Sequence, residues 1–403
     1  MKRILVLTAD AGFGHRRAAE AVAAALQETH GEECVAEIVN PMQDKRVPIF
    51  LRNSQSDYDR IVREMPDLYK LGYEASDAKA PSLIAEGALI VMLFEAMLDT
   101  VQRFQPDAIV TTYSLYQAPL GAVFSLRRSY IPLLTVVTDL ATVHRLWFHV
   151  GADGCLVPTV TVRDLAIECG LAASKVHITG IPVHPDVVRE TRAPLDIRAE
   201  LGLEPNRTTV LAVGGKRVGR LPEALHVLNH SGLPLQLIVI AGGDDDRFQQ
   251  YQNTQWHVPA RVFNFVDNVP ALMHAADCVV CKAGGLIVTE SLACGLPLLL
   301  VDVLPGQEEG NADLVVRGGA GALAPGPIEV LEEMYHWLDK GGMLLAERAH
   351  NARALGQPRA AYDVAERAWQ AAVRGPYTRP RRRLLSRSRL RALLRHFDIP
   401  WVD

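Results

Sequence analysis

The 403-residue chain is long for one hydrophobic core, so two domains of roughly 150 to 200 residues each are expected, and its 49% hydrophobic and 22% charged content suits a soluble α/β protein. Its net charge of −4 conceals an asymmetry: residues 374–396 hold nine Arg and no acid, leaving 33 basic against 46 acidic residues in the rest. Six Cys without a regular framework exclude a disulfide scaffold and point to reduced thiols in a cytosolic chain.

Residues 3–8 (RILVLT) form an apolar run expected as a first strand, cut by Asp10 too early for a signal-peptide core. Residues 15–29 carry Ala18, Val22 and Leu26 at helical spacing. The loop between them, Ala9-Asp10-Ala11-Gly12-Phe13-Gly14-His15, lies at the carboxyl end of a strand, where open α/β sheets bind ligands. A tight turn with His15 merely opening the helix is the alternative. Residues 33–39 read as a second strand, and 40–75 as irregular, with Pro41, Pro48 and Pro66; the aromatics Tyr58, Tyr69 and Tyr73 suit lipid contact or a lid over a core. The helix expected at 82–104 contains an uncharged patch, 87–94, that reads as core, with membrane contact as the alternative. The longest uncharged stretch, 108–126, is interrupted by six polar or Pro residues, so no membrane span is expected.

Strands are expected at 108–112 and 133–137, the second running into Thr138-Asp139-Leu140-Ala141-Thr142-Val143-His144-Arg145-Leu146-Trp147-Phe148-His149. Asp139 and His144 thus fall just past a strand's carboxyl end; in the competing reading Asp139 caps a turn and His144 packs against Trp147. Residues 154–179 read as strand, helix, strand, and Thr179-Gly180-Ile181-Pro182-Val183-His184-Pro185 follows. Residues 189–208, with Pro194 and Pro205, read as a linker.

A strand at 209–213 opens the second half and meets the turn Gly214-Gly215-Lys216-Arg217-Val218-Gly219; another at 236–241 ends in Gly242-Gly243-Asp244. The most informative stretch is 277–311. The apolar run Cys278–Cys281 ends at Lys282 and the turn Gly284-Gly285, a helix bearing Glu290 follows, and after a second apolar run comes the loop Pro305-Gly306-Gln307-Glu308-Glu309-Gly310-Asn311. Glycines at a strand-to-helix turn let a phosphate or ribose approach the backbone, and the helix N-terminus offers unpaired N–H groups to an anion. Glu290 suits a sugar hydroxyl pair, and Gln307, Glu308 and Asn311 supply partners for a second polyhydroxyl group; a plain βαβ unit would explain the glycines alone. Cys278 and Cys281 are spaced CxxC, but on a strand they point to opposite faces, so neither a zinc site nor a redox pair is expected. Helices are expected at 309–317, 328–339 and within 344–373.

Taken together, these motifs resemble family 28 glycosyltransferases, specifically the diacylglycerol glycosyltransferase group that includes monogalactosyldiacylglycerol synthases and processive diacylglycerol glucosyltransferases. The resemblance covers most of residues 1–345. It implies an α/β chain of GT-B fold, two Rossmann-like domains facing across a cleft: an acceptor-side domain 1–188, a linker 189–208, a UDP-sugar-binding domain 209–345, helices at 346–373 crossing back to the first domain, and a basic tail 374–403. It also implies an inverting hexose transfer from UDP-galactose or UDP-glucose to a lipid acceptor, 1,2-diacylglycerol above all, with no metal and no cofactor. His15 is the implied general base, and Asp139 orients it or serves as the base itself. Gly14, His144, Trp147, Tyr69 and Tyr73 lie on the implied acceptor side. On the donor side, Gly214, Gly215, Lys216, Lys282, Gly284 and Gly285 approach the diphosphate. The backbone at Phe265 and Val266 reads the uracil, Glu290 holds the ribose, and Gln307 and Glu308, with Asn311 nearby, face the sugar.

Three positions depart from the family pattern: Ile287 stands where many members have Thr, Gly242-Gly243-Asp244 replaces a Gly-Arg-Asn or Gly-Lys-Asn turn, and Lys216-Arg217 replaces small or polar residues. In the tail, the Arg residues and the stripe Leu390, Leu393, Leu394 and Phe397 suit an anchor on an anionic membrane, which makes the enzyme peripheral at the cytoplasmic face. The competing tail reading is a basic segment that offsets the acidic body; nucleic acid is not an expected partner. Competing functions are a soluble-acceptor transferase or UDP-sugar epimerase on the same frame, and a non-enzymatic donor-binding scaffold.

Overall fold

The computed structural model describes residues 1–10, 13–53, 79–266, 269–306 and 308–378, the side chains of 13 and 79–85 excepted. Tyr58, Tyr69, Tyr73, Gln307 and the tail beyond Thr378 lie outside the described residues. The chain divides into two compact units, one of Met1–Pro185 with the chain from Arg359 onward, the other of Asp186–Pro358.

In the first unit six parallel strands, β1 (Lys2–Leu7), β2 (Cys34–Val39), β3 (Ala108–Thr111), β4 (Leu133–Val136), β5 (Gly154–Val157) and β6 (Val176–Ile178), lie in the order β2-β1-β3-β4-β5-β6. In the second unit β7 (Thr208–Val213), β8 (Leu235–Ile240), β9 (Ala260–Phe263), β10 (Cys278–Lys282), β11 (Leu298–Asp302) and β12 (Gly321–Leu323) form a parallel sheet in the order β12-β11-β10-β7-β8-β9. Chain direction across each sheet reverses once, between β1 and β3 and between β7 and β10. Such switch points, at the carboxyl ends of strands, are where open α/β sheets take ligands.

Helices cover both faces of a parallel sheet, so its strands must be apolar throughout. All six residues of Leu235–Ile240 are buried, and the exception, Gln236, spends its amide on the Glu204 carbonyl (2.7 Å), Thr209 Oγ1 (2.9 Å) and the Glu204 N–H (2.8 Å). On one face of the first sheet, Ala19, Val22, Ala25 and Leu26 of the helix Phe13–His30 pack with Ile4 and Val6 and with Ala361, Val364, Ala365 and Ala368 of the helix Ala360–Arg374. On the other, the helix Lys79–Phe104 buries Leu89, Ile90, Leu93 and Phe94, each at most 7% exposed. Half of the 87–94 patch is therefore core, while Ala88 stays exposed and Gly87, Val91 and Met92 are partly buried.

The expected boundaries shift in three places. Residues 189–208, expected as a linker, are part of the second unit: the helix Pro194–Glu200 inserts Arg198, 7% exposed, whose guanidinium meets Asp277 at 2.8 Å and the Ala275 carbonyl at 2.7 Å. The second domain, expected to end at 345, runs on to Pro358 and the chain rejoins the first unit at Arg359, whereas the helix expected at 328–339 does end there: Asp339, Lys340, Gly341 and Gly342 leave helical geometry, the last three at positive φ, before helix resumes to Leu355. Finally, Tyr377 exchanges two backbone hydrogen bonds with Tyr130, and its hydroxyl donates to Asp153. The first unit therefore extends beyond residue 374, where the tail was expected to begin. No described helix is long and apolar enough to cross a membrane.

Candidate active site

In the first unit the loops after β1, β3 and β4 converge. The Thr112 hydroxyl donates to the His15 carbonyl at 2.9 Å, fixing the start of the helix Phe13–His30 to the end of β3. His15 Nδ1 lies 2.7 Å from Thr138 Oγ1, beyond β4, and its ring meets Tyr113 edge-on at 5.1 Å and Trp147 at 6.0 Å. Burial lowers the imidazole pKa from 6.5 to about 4, against a raising hydrogen bond at Thr112, so the ring is neutral at pH 7.

Next to Thr138, Asp139 Oδ2 accepts the Trp147 indole N–H at 2.7 Å. Burial raises this carboxyl from 3.8 to about 6, the indole acting in the opposite sense. Asp139 is thus mostly ionised at pH 7 yet markedly more basic than an exposed carboxylate. Trp147, expected on the acceptor side, is only 2% exposed and serves chiefly as Asp139's partner. His144 caps the short 3-10 helix Arg145–Trp147, its Nδ1 accepting the Leu146 N–H at 3.2 Å. At Gly14 an added Cβ would meet nothing within 4 Å, so the protein itself does not demand a glycine there.

Of the donor-side residues expected from sequence, Gly214, Gly215 and Lys216 follow β7 and Lys282, Gly284 and Gly285 end or follow β10, the two strands of the second switch point, while Phe265 and Val266 follow the edge strand β9. Gly214 and Gly242 end β7 and β8 in contact: a Cβ on Gly242, whose φ is +68°, would fall 2.4 Å from the Gly214 carbonyl oxygen. Asp302 closes the 214–219 turn by accepting the Gly219 N–H at 2.9 Å. Lys216 is exposed on that turn. After β10, the helix Gly285–Ala293 starts at Gly284 with no side-chain cap and no acid in its first turn, which leaves its N-terminal N–H groups and positive dipole end to an anion. Glu290, partly buried, sits on the second turn of this helix.

Lys282 pairs with Glu308 Oε1, and Glu308 Oε2 accepts the Leu304 N–H at 3.0 Å. Glu308 is 6% exposed, so the residue expected at the sugar has both oxygens engaged in holding Lys282 and the loop. Asn311 likewise turns inward, donating to the Ala283 carbonyl at 2.9 Å and so bracing the glycine turn. Phe265 is 55% exposed beside Asn264, while Val266 is partly buried. Of the departures from the family pattern, Asp244 has a local reason: it caps the helix Asp245–Gln252 by accepting the Arg247 N–H at 3.2 Å.

Sequence reasoning passed over Thr138, Thr135, Gln117 and Asp302. Gln117 carried a legible signal, a lone amide inside the apolar segment Gln117–Arg127, and the structure buries it to 1% exposure. Asp10 was noted only as interrupting an apolar run; it accepts hydrogen bonds from Asn40 (2.8 Å), Gln43 (2.9 Å) and Arg16 (3.2 Å), a structural clamp at the end of β1.

Residues 15–183 match the family model for monogalactosyldiacylglycerol (MGDG) synthase, and residues 214–335 match that for the glycosyltransferase family 28 C-terminal domain. A probable chloroplastic monogalactosyldiacylglycerol synthase of Glycine max is 30% identical over 375 residues, covering 90% of this chain and 70% of the relative. Monogalactosyldiacylglycerol synthase 3 of Arabidopsis thaliana is 30% identical over 375 residues, covering 90% and 80%. Among solved structures, MurG of Acinetobacter baumannii superposes with a TM-score of 0.59 at 19% identity over 92% of this chain and 100% of its own. UDP-GlcNAc 2-epimerase of Neisseria meningitidis, bound to UDP-GlcNAc, gives 0.59 at 14% identity over 92% and 100%. At such identities the structures establish the fold alone, and the sequence matches establish the family: the chain belongs to the monogalactosyldiacylglycerol synthase family, as a UDP-sugar-dependent hexosyltransferase of GT-B fold.

Proposed function

We propose that the enzyme transfers a hexose from UDP-galactose or UDP-glucose to the free hydroxyl of a diacylglycerol with inversion, giving a β-linked glycolipid and UDP without a metal ion. The observation that carries this reading is the cluster His15, Thr138, Asp139 and Trp147, in which a neutral imidazole stands close to a carboxylate of raised basicity. A general base works best when its pKa lies near the working pH. Asp139, at about 6, meets that condition better than His15, at about 4. Asp139 therefore takes the acceptor's proton, and neutral His15 orients the hydroxyl, which exchanges the leading roles that the family resemblance implies. The deprotonating oxygen attacks the anomeric carbon opposite the UDP, the bond to the diphosphate breaks, and its electron pair leaves on the β-phosphate. Lys282 and the uncapped N–H groups of the helix Gly285–Ala293 meet that charge.

The lipid acceptor rests on the family and on surface chemistry. Ile49 and Phe50 are 64% and 59% exposed on a short helix that Leu51 and Val47 pin to the core, and Lys45, Arg46 and Arg52 lie nearby in sequence. Such a pair, with the basic tail, suits contact with an anionic bilayer at its cytoplasmic face. The base assignment is tested by the pH dependence of kcat/KM. An acid limb near pH 6 that disappears with activity in Asp139→Asn supports Asp139; a limb near pH 4 hands the role to His15.

A further inference from the structure

We infer that Gln117 and Trp147 form a positioning chain that aims the Asp139 carboxylate and keeps it ionised, so that the buried helix Gln117–Arg127 sets the competence of a residue it does not touch. The inference rests on the assignment of Asp139 as the base. Four side chains make the chain: the Thr135 hydroxyl donates to Gln117 Oε1 at 2.8 Å, and Gln117 Nε2 donates to the Trp147 carbonyl at 3.1 Å and to the Leu146 carbonyl at 3.3 Å. The Trp147 indole then donates to Asp139 Oδ2 at 2.7 Å. Thr135 lies in β4 and Asp139 just beyond it, so the chain closes a ring from strand to helix to loop and back to the same strand's end.

Thr135, Gln117 and Trp147 are 0%, 1% and 2% exposed. Buried amides and hydroxyls are costly unless every group is bonded, and here Gln117 uses its oxygen and its amino group together. Trp147 belongs to an apolar cluster with Val137, Val143 and Phe148, its ring 6.0 Å from that of His15, so a Phe at 147 would satisfy the apolar packing alone. The polar groups do something packing does not: they fix the rotation of the 144–148 loop and with it the direction of the indole N–H. That bond favours the ionised carboxylate against the burial that disfavors it. The titratable and charged groups on the elements packed here are His15, whose ring lies 6.0 Å from that of Trp147, Tyr113, which meets His15 edge-on, and His144 and Arg145 in the Trp147 loop; His15 titrates near pH 4, below the range read here.

The test is the full chain carrying Trp147→Phe, Gln117→Leu or Thr135→Val, with Ser125→Ala, on the same helix as Gln117 but outside the chain of bonds, as a control, assayed with UDP-galactose and dioleoylglycerol vesicles from pH 5 to 9. Trp147→Phe should lower kcat at pH 7 about ten- to hundredfold, the scale of a hydrogen bond to a charged group. Its acid limb should move upward by about one pH unit, which accounts for about a twofold loss at pH 7 that is recovered by pH 9; the rest of the loss comes from the misaimed carboxylate and persists at pH 9, with UDP affinity unchanged. Gln117→Leu and Thr135→Val should move the limb the same way by less, and Ser125→Ala should leave it in place. A loss equal at every pH, with the limb unmoved, overturns the inference and marks the chain as structural. Should Trp147→Phe fail to fold, the near-isosteric Thr135→Val carries the same readout. If Asp139→Asn retains activity, the base assignment itself falls; if Asp139→Asn is inactive while none of the three variants moves the limb, only the positioning chain falls.

Discussion

Replacing Asp139 by Asn is expected to make the protein more stable while nearly abolishing turnover. The carboxyl's folded-state pKa is raised from 3.8 to about 6, so the folded state binds more protons than the unfolded state between those values, and stability falls as pH rises through that window. Above pH 6 the full penalty is present. Two units at about 1.4 kcal/mol each put its ceiling near 3 kcal/mol. Asn keeps an oxygen for the Trp147 N–H and carries no charge to bury, so at pH 7.5 the variant should gain about 1 to 3 kcal/mol. For a unit of this size that is a rise in Tm of about 3 to 10 °C, and below pH 3.8 the gain should vanish. His15 acts with the opposite sign: its folded pKa is lowered from 6.5 to about 4, so its contribution is lost as pH falls through that range. The two slopes largely cancel in the native protein, and Asp139→Asn should uncover the acid sensitivity that His15 imposes. Calorimetric unfolding at pH 7.5 and pH 4, with activity at pH 7.5, checks all of this. An inactive variant with no added stability at pH 7.5, or with the same gain at both pH values, would refute the electrostatic argument.

Glu290→Ala should weaken UDP binding by about 1.5 to 3 kcal/mol, the worth of a charge-assisted hydrogen bond to a buried ribose, and isothermal calorimetry with UDP reads it directly. His15→Ala should leave UDP affinity intact and lower turnover about a hundredfold in single-turnover assays at saturating donor, the scale of a misoriented acceptor hydroxyl; a change confined to KM would make His15 a binding residue. Because Tyr377 ties the chain to Tyr130 and Asp153, the tail is best removed after Thr378. That truncation should reduce co-sedimentation with anionic vesicles at low salt while UDP affinity holds, and undiminished sedimentation would leave the exposed Ile49 and Phe50 as the remaining anchor.

The two parallel sheets were legible because apolar runs such as LQLIVI at 235–240 can be satisfied in few ways other than as strands covered on both faces, and because glycine turns mark the strand ends at 214, 242 and 284. The donor turn and the His15 and Asp139 loops were legible as motifs. What the motifs could not convey was which atoms are already spent. Glu308 and Asn311 read as sugar-side partners in a polar loop, and in the fold their side chains also hold Lys282 and the Ala283 carbonyl; Trp147 reads as an acceptor-side residue, and in the fold its ring is buried with its N–H donated to Asp139. Long-range pairing of this kind has no period in the sequence. The same limit explains the misplaced linker, where two Pro suggested a loose connection but the burial of Arg198 against Asp277 binds the segment to the second unit.

The most direct measurement is product analysis after incubating the purified protein, in the presence of a chelator, with UDP-galactose or UDP-glucose and dioleoylglycerol vesicles. The account predicts release of UDP in equal amount to a monohexosyl diacylglycerol whose anomeric proton is β, formed from at least one of the two donors. Conversion of the UDP-sugar to an epimer, or hydrolysis to free sugar and UDP with no glycolipid formed, would contradict it.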